Sequence, residues 1–129
     1  MRILLDTHVF LWLHTDPERL GEHLAILEDQ RNEVLVSAVS SWEIAIKSGL
    51  GRLALPEPVE RYVPDRLRAI GATALPIEHT HALAVAALPR LHGDPFDRLL
   101  VAQAKILDIA ILTADPTVAQ YPVQTLLVT

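Results

Sequence analysis

A chain of 129 residues suits one domain with its own core, and 50% hydrophobic with 21% charged residues is a globular composition. It contains no cysteine, which excludes disulfides and thiolate metal sites, and its apolar runs fall short of the ~20 residues a membrane span needs. The formal charge of −5 argues against a basic, phosphate-binding surface, although Asp6, Glu43, Asp94, Asp97 and Asp115 would account for all of it if gathered around one cation.

The N-terminus MRILLDTHVF turns acidic too early for a secretory h-region. A cytoplasmic, soluble protein without membrane association is therefore expected. Arg2–Leu5 is a short apolar run ending on Asp6, as a buried parallel strand would be. His8–His14 reads as a short helix. Asp16-Pro17 pairs an N-cap with Pro at the first helical position, and Leu20, Leu24 and Leu27 follow at helical spacing, predicting one amphipathic helix to Gln30–Asn32. Glu33–Ser37 is a second strand. Ser40 and Glu43 have capping-box spacing, so a helix is expected to start there and reach Ser48 before Gly49 and Gly51.

Pro58 to Ile70 reads as a helix ended by Gly71, Ala72–Leu75 as a third strand, and Glu78–Leu88 as a further helix. In DPFDRLLVAQA, residues 94–104, Asp94 is an N-cap, Pro95 sits at the first helical position and Asp97 in the first turn of a helix to Asp108. Ile109–Leu112 is a fourth strand delivering Thr113 and Asp115, Asp115-Pro116 again looks like a helix cap, and Val123–Val128 is a fifth strand. Strands alternating with helices predict a single α/β domain over residues 1–129, a parallel sheet of four to five strands between helical layers.

In such sheets ligands bind outside the carboxyl ends of the strands, where Asp6, Glu43 and Asp115 accumulate. Each acid has an ordinary explanation as a cap or a partner of the helix dipole, and Glu43 stands four residues before Lys47, a common surface pairing. Asp97 fits that explanation least. It crowns Leu100, Val101 and Ala104, and an acid above an apolar face needs a counter-charge or several donors. Carboxylates without cysteine favour a hard cation such as Mg²⁺ or Mn²⁺ over zinc. His79 and His81 splay apart on a helix, and His8, His14, His23 and His92 carry no ligand spacing. Acid-held Mg²⁺ typically serves phosphoryl chemistry, and neither a Walker A loop nor a Gly-x-Ser-x-Gly elbow is present.

LLDTHVFLWL (4–13), SAVSSWEIAIKSGLGRL (37–53), DPFDRLLVAQA (94–104) and LTADP (112–116) together resemble the PIN-domain ribonucleases, in particular the VapC-type toxins of type II toxin–antitoxin systems. The resemblance spans nearly the whole chain. It implies a PIN-like three-layer α/β/α fold and an Mg²⁺-dependent endoribonuclease in which Mn²⁺ can substitute. It places catalytic roles on Asp6, Glu43, Asp97 and Asp115, with Asp6 and Asp97 as metal ligands. Asp94, Thr7 and Thr113 become auxiliary residues, and Lys47, Arg52, Arg90 and Arg98 candidate RNA contacts. It further implies a homodimer and a VapB-like antitoxin that offers an arginine to the carboxylates. Two alternatives remain: a catalytically silent PIN fold that only binds RNA or protein, and a receiver-type signalling domain. The latter lacks its acidic pair after strand one and its acceptor Asp after strand three.

Overall fold

Alternation within the strands builds two cores. In the computed structural model, which describes residues 1–129, strand β1 (Arg2–Leu5) sends Leu4 to one face of the sheet and Ile3 and Leu5 to the other. Strand β2 (Glu33–Ser37) repeats the pattern with Leu35 against Val34 and Val36, and β4 (Ala110–Thr113) with Ile111 against Leu112. Both faces are covered, as all-parallel sheets require. On one side lies helix α6 (Pro95–Leu107), with Leu100, Val101 and Ala104 beneath Leu88, Val118 and Tyr121. On the other lie Val9 and Phe10 of α1 (Thr7–Thr15), Ile44 of α3 (Ala38–Gly49), and Tyr62 and Val63 of α4 (Val59–Ile70). Burying each such side chain stabilises by about 1.5–3 kcal/mol, a reserve against which charged groups at the sheet edge can be tolerated.

The sheet has five parallel strands in the order β3-β2-β1-β4-β5, with β3 at Thr73–Leu75 and β5 at Thr125–Leu127. A receiver domain has the order 2-1-3-4-5, so that alternative is set aside. The order reverses beside β1: the chain moves outward through β2 and β3, then returns to place β4 on the other flank of β1. Ligand sites form at such switch points. No helix is long and apolar enough to cross a membrane.

Several local expectations change. The helix predicted after Asp16 is a 3₁₀ turn, Pro17–Leu20, followed by a separate helix α2, His23–Glu28. Gly21 breaks it at φ 53°, a conformation open mainly to glycine. Helix α3 starts at Ala38, capped by the Ser37 hydroxyl, which accepts from the Val39 N–H; Ser40 is already helical and makes no capping box. The helix predicted to Leu88 ends as α5 (His79–Ala84) with a 3₁₀ turn at Val85–Ala87. Asp115 caps no helix. It folds into a local turn, accepting from the Thr117 N–H, before a 3₁₀ turn at Val118–Gln120.

Candidate active site

Asp6 leaves β1 at the switch point and serves two local purposes. Its Oδ1 accepts from the His8 N–H as the N-cap of α1, and its Oδ2 accepts from the Thr113 hydroxyl at 2.6 Å. That hydroxyl also accepts from the Asp115 N–H. Thr113 thus ties the end of β4 to the end of β1. Burial pushes the Asp6 carboxyl above its usual range, against the opposing pull of these hydrogen bonds and the His8 charge, and Glu43 adds to the rise.

Asp97 reaches the same edge from α6. A helix that precedes a parallel strand runs back along the sheet, so its N-terminus lies at the carboxyl ends of the strands. Asp94 caps that N-terminus, its Oδ1 accepting from both the Phe96 and Asp97 N–H groups. The Asp97 pKa is pushed up to about 6, first by burial and then by the negative charges of Asp6, Asp94 and Glu43, while a hydrogen bond from His92 pulls it down. These four acids therefore share one electrostatic site.

Glu43 lies further into α3 than its sequence spacing implies, and its side chain is only 3% exposed. Oε2 accepts from Lys47 Nζ, the predicted i,i+4 pair, but Oε1 is buried with no hydrogen-bond partner. The Lys47 ammonium is held above its usual range, chiefly by this hydrogen bond. Replacing Lys47 with Met would leave a buried carboxylate wholly unpaired. That variant is expected to lose about 1–3 kcal/mol, and Glu43→Gln in the same chain to restore most of it. Thermal melts of the two single variants and the double variant check this; additive losses would show that the pair is not coupled.

Of the remaining candidates, Thr7 donates to the Ser40 hydroxyl at 2.9 Å, tying α1 to α3. Lys47 and Arg52 line a cleft of about 300 Å³ with Thr7, His8, Leu11 and Glu43. Arg90 lies on a different groove, which it shares with Trp42, His92 and Arg98. The Arg98 guanidinium is engaged internally, donating to the Pro89 and Val85 carbonyls and to the Tyr121 hydroxyl. His92 was passed over in the sequence, yet its Nε2 lies 3.2 Å from Asp97 Oδ2. Its Nδ1 meets the Tyr121 hydroxyl at 2.7 Å. One atom each of His92, Asp97 and Asp115 falls within 4.8 Å of the others. No spacing rule could have found this contact, because His92 lies on an irregular loop and Tyr121 comes 29 residues later.

Clustered carboxylates, one with an orphaned buried oxygen and another raised to a pKa of about 6 by burial and its neighbours' charges, form a site suited to a cation. The donors are oxygens with one imidazole nitrogen, and the fit is to a divalent metal.

A five-stranded parallel sheet with an acidic centre at the ends of β1 and β4 defines the class, and the PIN domain family profile matches residues 3–123. The chain belongs to that family. Within it the chain is related to the VapC ribonucleases. It is 48% identical over 64 residues to Ribonuclease VapC16 of Mycobacterium tuberculosis, covering 50% of this chain but only 45% of that relative's length. It is 32% identical over 105 residues to Ribonuclease VapC22 of the same organism, covering 79% of this chain and 78% of the relative. Among solved structures, a chain of VapBC2 from Rickettsia felis, crystallised with a DNA fragment from the promoter of its genes, superposes with a TM-score of 0.74 over 98% of both chains. At 14% identity, that likeness is one of fold.

Proposed function

We propose that this protein is a metal-dependent endoribonuclease of the VapC type, the toxin of a toxin–antitoxin pair. The observation that carries the reading is the convergence of Asp6, Glu43 and Asp97 at the switch point, where burial first and then the neighbouring carboxylates lift Asp97 to a pKa of about 6. Asp6 and Asp97 would hold Mg²⁺, or Mn²⁺ in its place. The ion supplies Lewis-acid polarisation of the scissile phosphodiester and a more acidic water. Glu43 Oε1, buried and unpartnered, is placed to accept a proton or to orient a water. Asp115, anchored through its own backbone to Thr113, helps position the attacking water. Lys47 and Arg52, on the cleft beside Glu43, would meet RNA phosphates. Arg90, on the neighbouring groove, is a further contact, whereas Arg98 chiefly braces the loop before α6.

The partner in this reading is a VapB-like antitoxin whose arginine neutralises the carboxylates, and the likeness to a VapBC complex supports it. A homodimer and a cytoplasmic location belong to the same reading. Exposed Trp42 and Ile46 on α3, Leu50 just past its end and Leu83 on α5 offer the apolar surface for the dimer.

The test is mapping of RNA 5′ ends after controlled expression, comparing the intact protein with Asp6→Asn, which retains a capping side chain for α1. New ends are expected only with the intact protein. The purified enzyme is expected to lose all cleavage in EDTA and to regain it with excess Mg²⁺ or Mn²⁺. Identical cleavage by Asp6→Asn, or activity untouched by the chelator, would sink the reading. Metal binding without cleavage of any RNA would mark a silent PIN fold instead.

A further inference from the structure

We infer that His92 is a metal ligand, and that His92 Nε2, Asp97 and Asp115 form a mixed nitrogen–oxygen half of the centre that binds Mn²⁺ in preference to Mg²⁺. This rests on the metal-centre reading of the site and deepens it.

Three features support the assignment. The first is spacing. One donor atom each from His92, Asp97 and Asp115 lies within 4.8 Å of the other two. Ligands about 2.1–2.2 Å from an ion stand about 3 Å apart when adjacent and about 4.3 Å apart when opposite, so small side-chain adjustments suffice. The second is the far side of the ring. A ligating histidine is almost always held by a hydrogen bond to its other nitrogen. Here Nδ1 meets the hydroxyl of Tyr121, a buried residue. Arg98 Nη1 donates to that hydroxyl at 3.2 Å, and the same guanidinium grips the Pro89 and Val85 carbonyls. The imidazole is thus fixed from behind by a chain running from Arg98 through Tyr121. The third is its direction: Nε2 faces Asp97 Oδ2, so the atom best able to bind an ion is the one turned into the carboxylates.

An imidazole alters the choice of ion. Mg²⁺ favours oxygen ligands and retains its waters, whereas nitrogen donors suit transition metals. A nitrogen in the ligand set therefore raises affinity for Mn²⁺ more than for Mg²⁺. The alternative is a plain hydrogen-bonded His–Asp pair that only steadies Asp97, and it would leave that preference unchanged.

The experiment loads the metal-free full-length protein with Mn²⁺ and records electron spin-echo modulation, with and without ¹⁵N-histidine labelling. Titration calorimetry with Mn²⁺ and with Mg²⁺ accompanies it. The variants are His92→Gln, His8→Gln and Asp97→Asn; His8 is included because its Nδ1 lies 3.9 Å from Asp6 Oδ1. The expected result is nitrogen modulation in the wild type that changes with the isotope, persists in His8→Gln and vanishes in His92→Gln. Mn²⁺ affinity is expected to fall about 10–100-fold in His92→Gln, with a smaller loss for Mg²⁺. Mn²⁺ bound without histidine modulation, modulation lost in His8→Gln instead, or equal losses for both ions would overturn the inference alone. No Mn²⁺ binding by the wild type, or binding unaffected by Asp97→Asn, would overturn the metal centre itself.

Discussion

Asp97→Asn is expected to abolish RNA cleavage and, at the same time, to make the metal-free protein more stable at neutral pH. The two effects share one cause. In the folded chain burial and the charges of Asp6, Asp94 and Glu43 hold Asp97 at a pKa of about 6, against 3.8 for an unperturbed group. Between those values the folded state binds more protons than the unfolded state, so stability falls as pH rises through the window and stays lower above it. The raised Asp6 carboxyl acts in the same sense. A shift of this size is nominally about 3 kcal/mol, but Asp97 is partly reached by solvent, and screening reduces the effect to about 1–2 kcal/mol.

The metal-free wild type should therefore melt higher at pH 5 than at pH 7.5, and Asp97→Asn should flatten that dependence. Adding Mn²⁺ at a hundredfold excess over its dissociation constant should stabilise the wild type by about 2.7 kcal/mol and leave the variant unmoved. Thermal melts at the two pH values, with and without the ion, separate the possibilities. A variant less stable than the wild type at pH 7.5, or equally stabilised by metal, would show that Asp97 is a structural cap and not part of a cation site.

The second large effect lies below the site. Gln103 is fully buried on α6, and its amide joins three separate segments. Its Oε1 accepts from the Ser37 hydroxyl at 2.5 Å, and its Nε2 donates to the Pro76 carbonyl and to His81 Nδ1. Ser37 is also the N-cap of α3, and His81 accepts from the Glu78 N–H at the start of α5. One side chain thus connects α6, the helix that carries Asp97, to the start of α3, which carries Glu43, and to α5. Gln103→Leu would leave the Ser37 hydroxyl and the Pro76 carbonyl without this partner, at about 1–3 kcal/mol for each buried group. A total loss of about 2–5 kcal/mol should lower Tm by on the order of 10 °C. Because Gln103 touches none of the acids, the fraction still folded at low temperature should bind Mn²⁺ as the wild type does. A Tm change of less than about 3 °C would mean that the network contributes little.

The sequence predicted all five strands. Short apolar runs that end on a polar residue leave little choice when both faces of a sheet are covered. It also predicted the cap of α6, because Asp94-Pro95 encodes its own hydrogen bonds within three residues. Where local signals competed, it misled. Ser40 has the spacing of a cap for α3, but the helix starts at the end of β2, where Ser37 caps it. Asp16 and Asp115 both precede proline, yet each opens only a short 3₁₀ turn or a local turn, because Gly21 and the nearby start of β5 leave no length for a helix.

Within the site, the sequence by itself placed Asp6 at the end of β1 and Asp94 and Asp97 at the start of α6, since each is set by its immediate neighbours. Only the tertiary structure decided that Asp6, Glu43, Asp94 and Asp97 act on one another and that Asp115 stands beside Asp97. Their charges are perturbed by residues up to 91 positions away, and carboxylate repulsion depends on distance through space. Only the tertiary structure, likewise, turned His92 toward Asp97. The ring is held by Tyr121 and Arg98, side chains from beyond its own loop, so its direction could not be read from the loop that carries it.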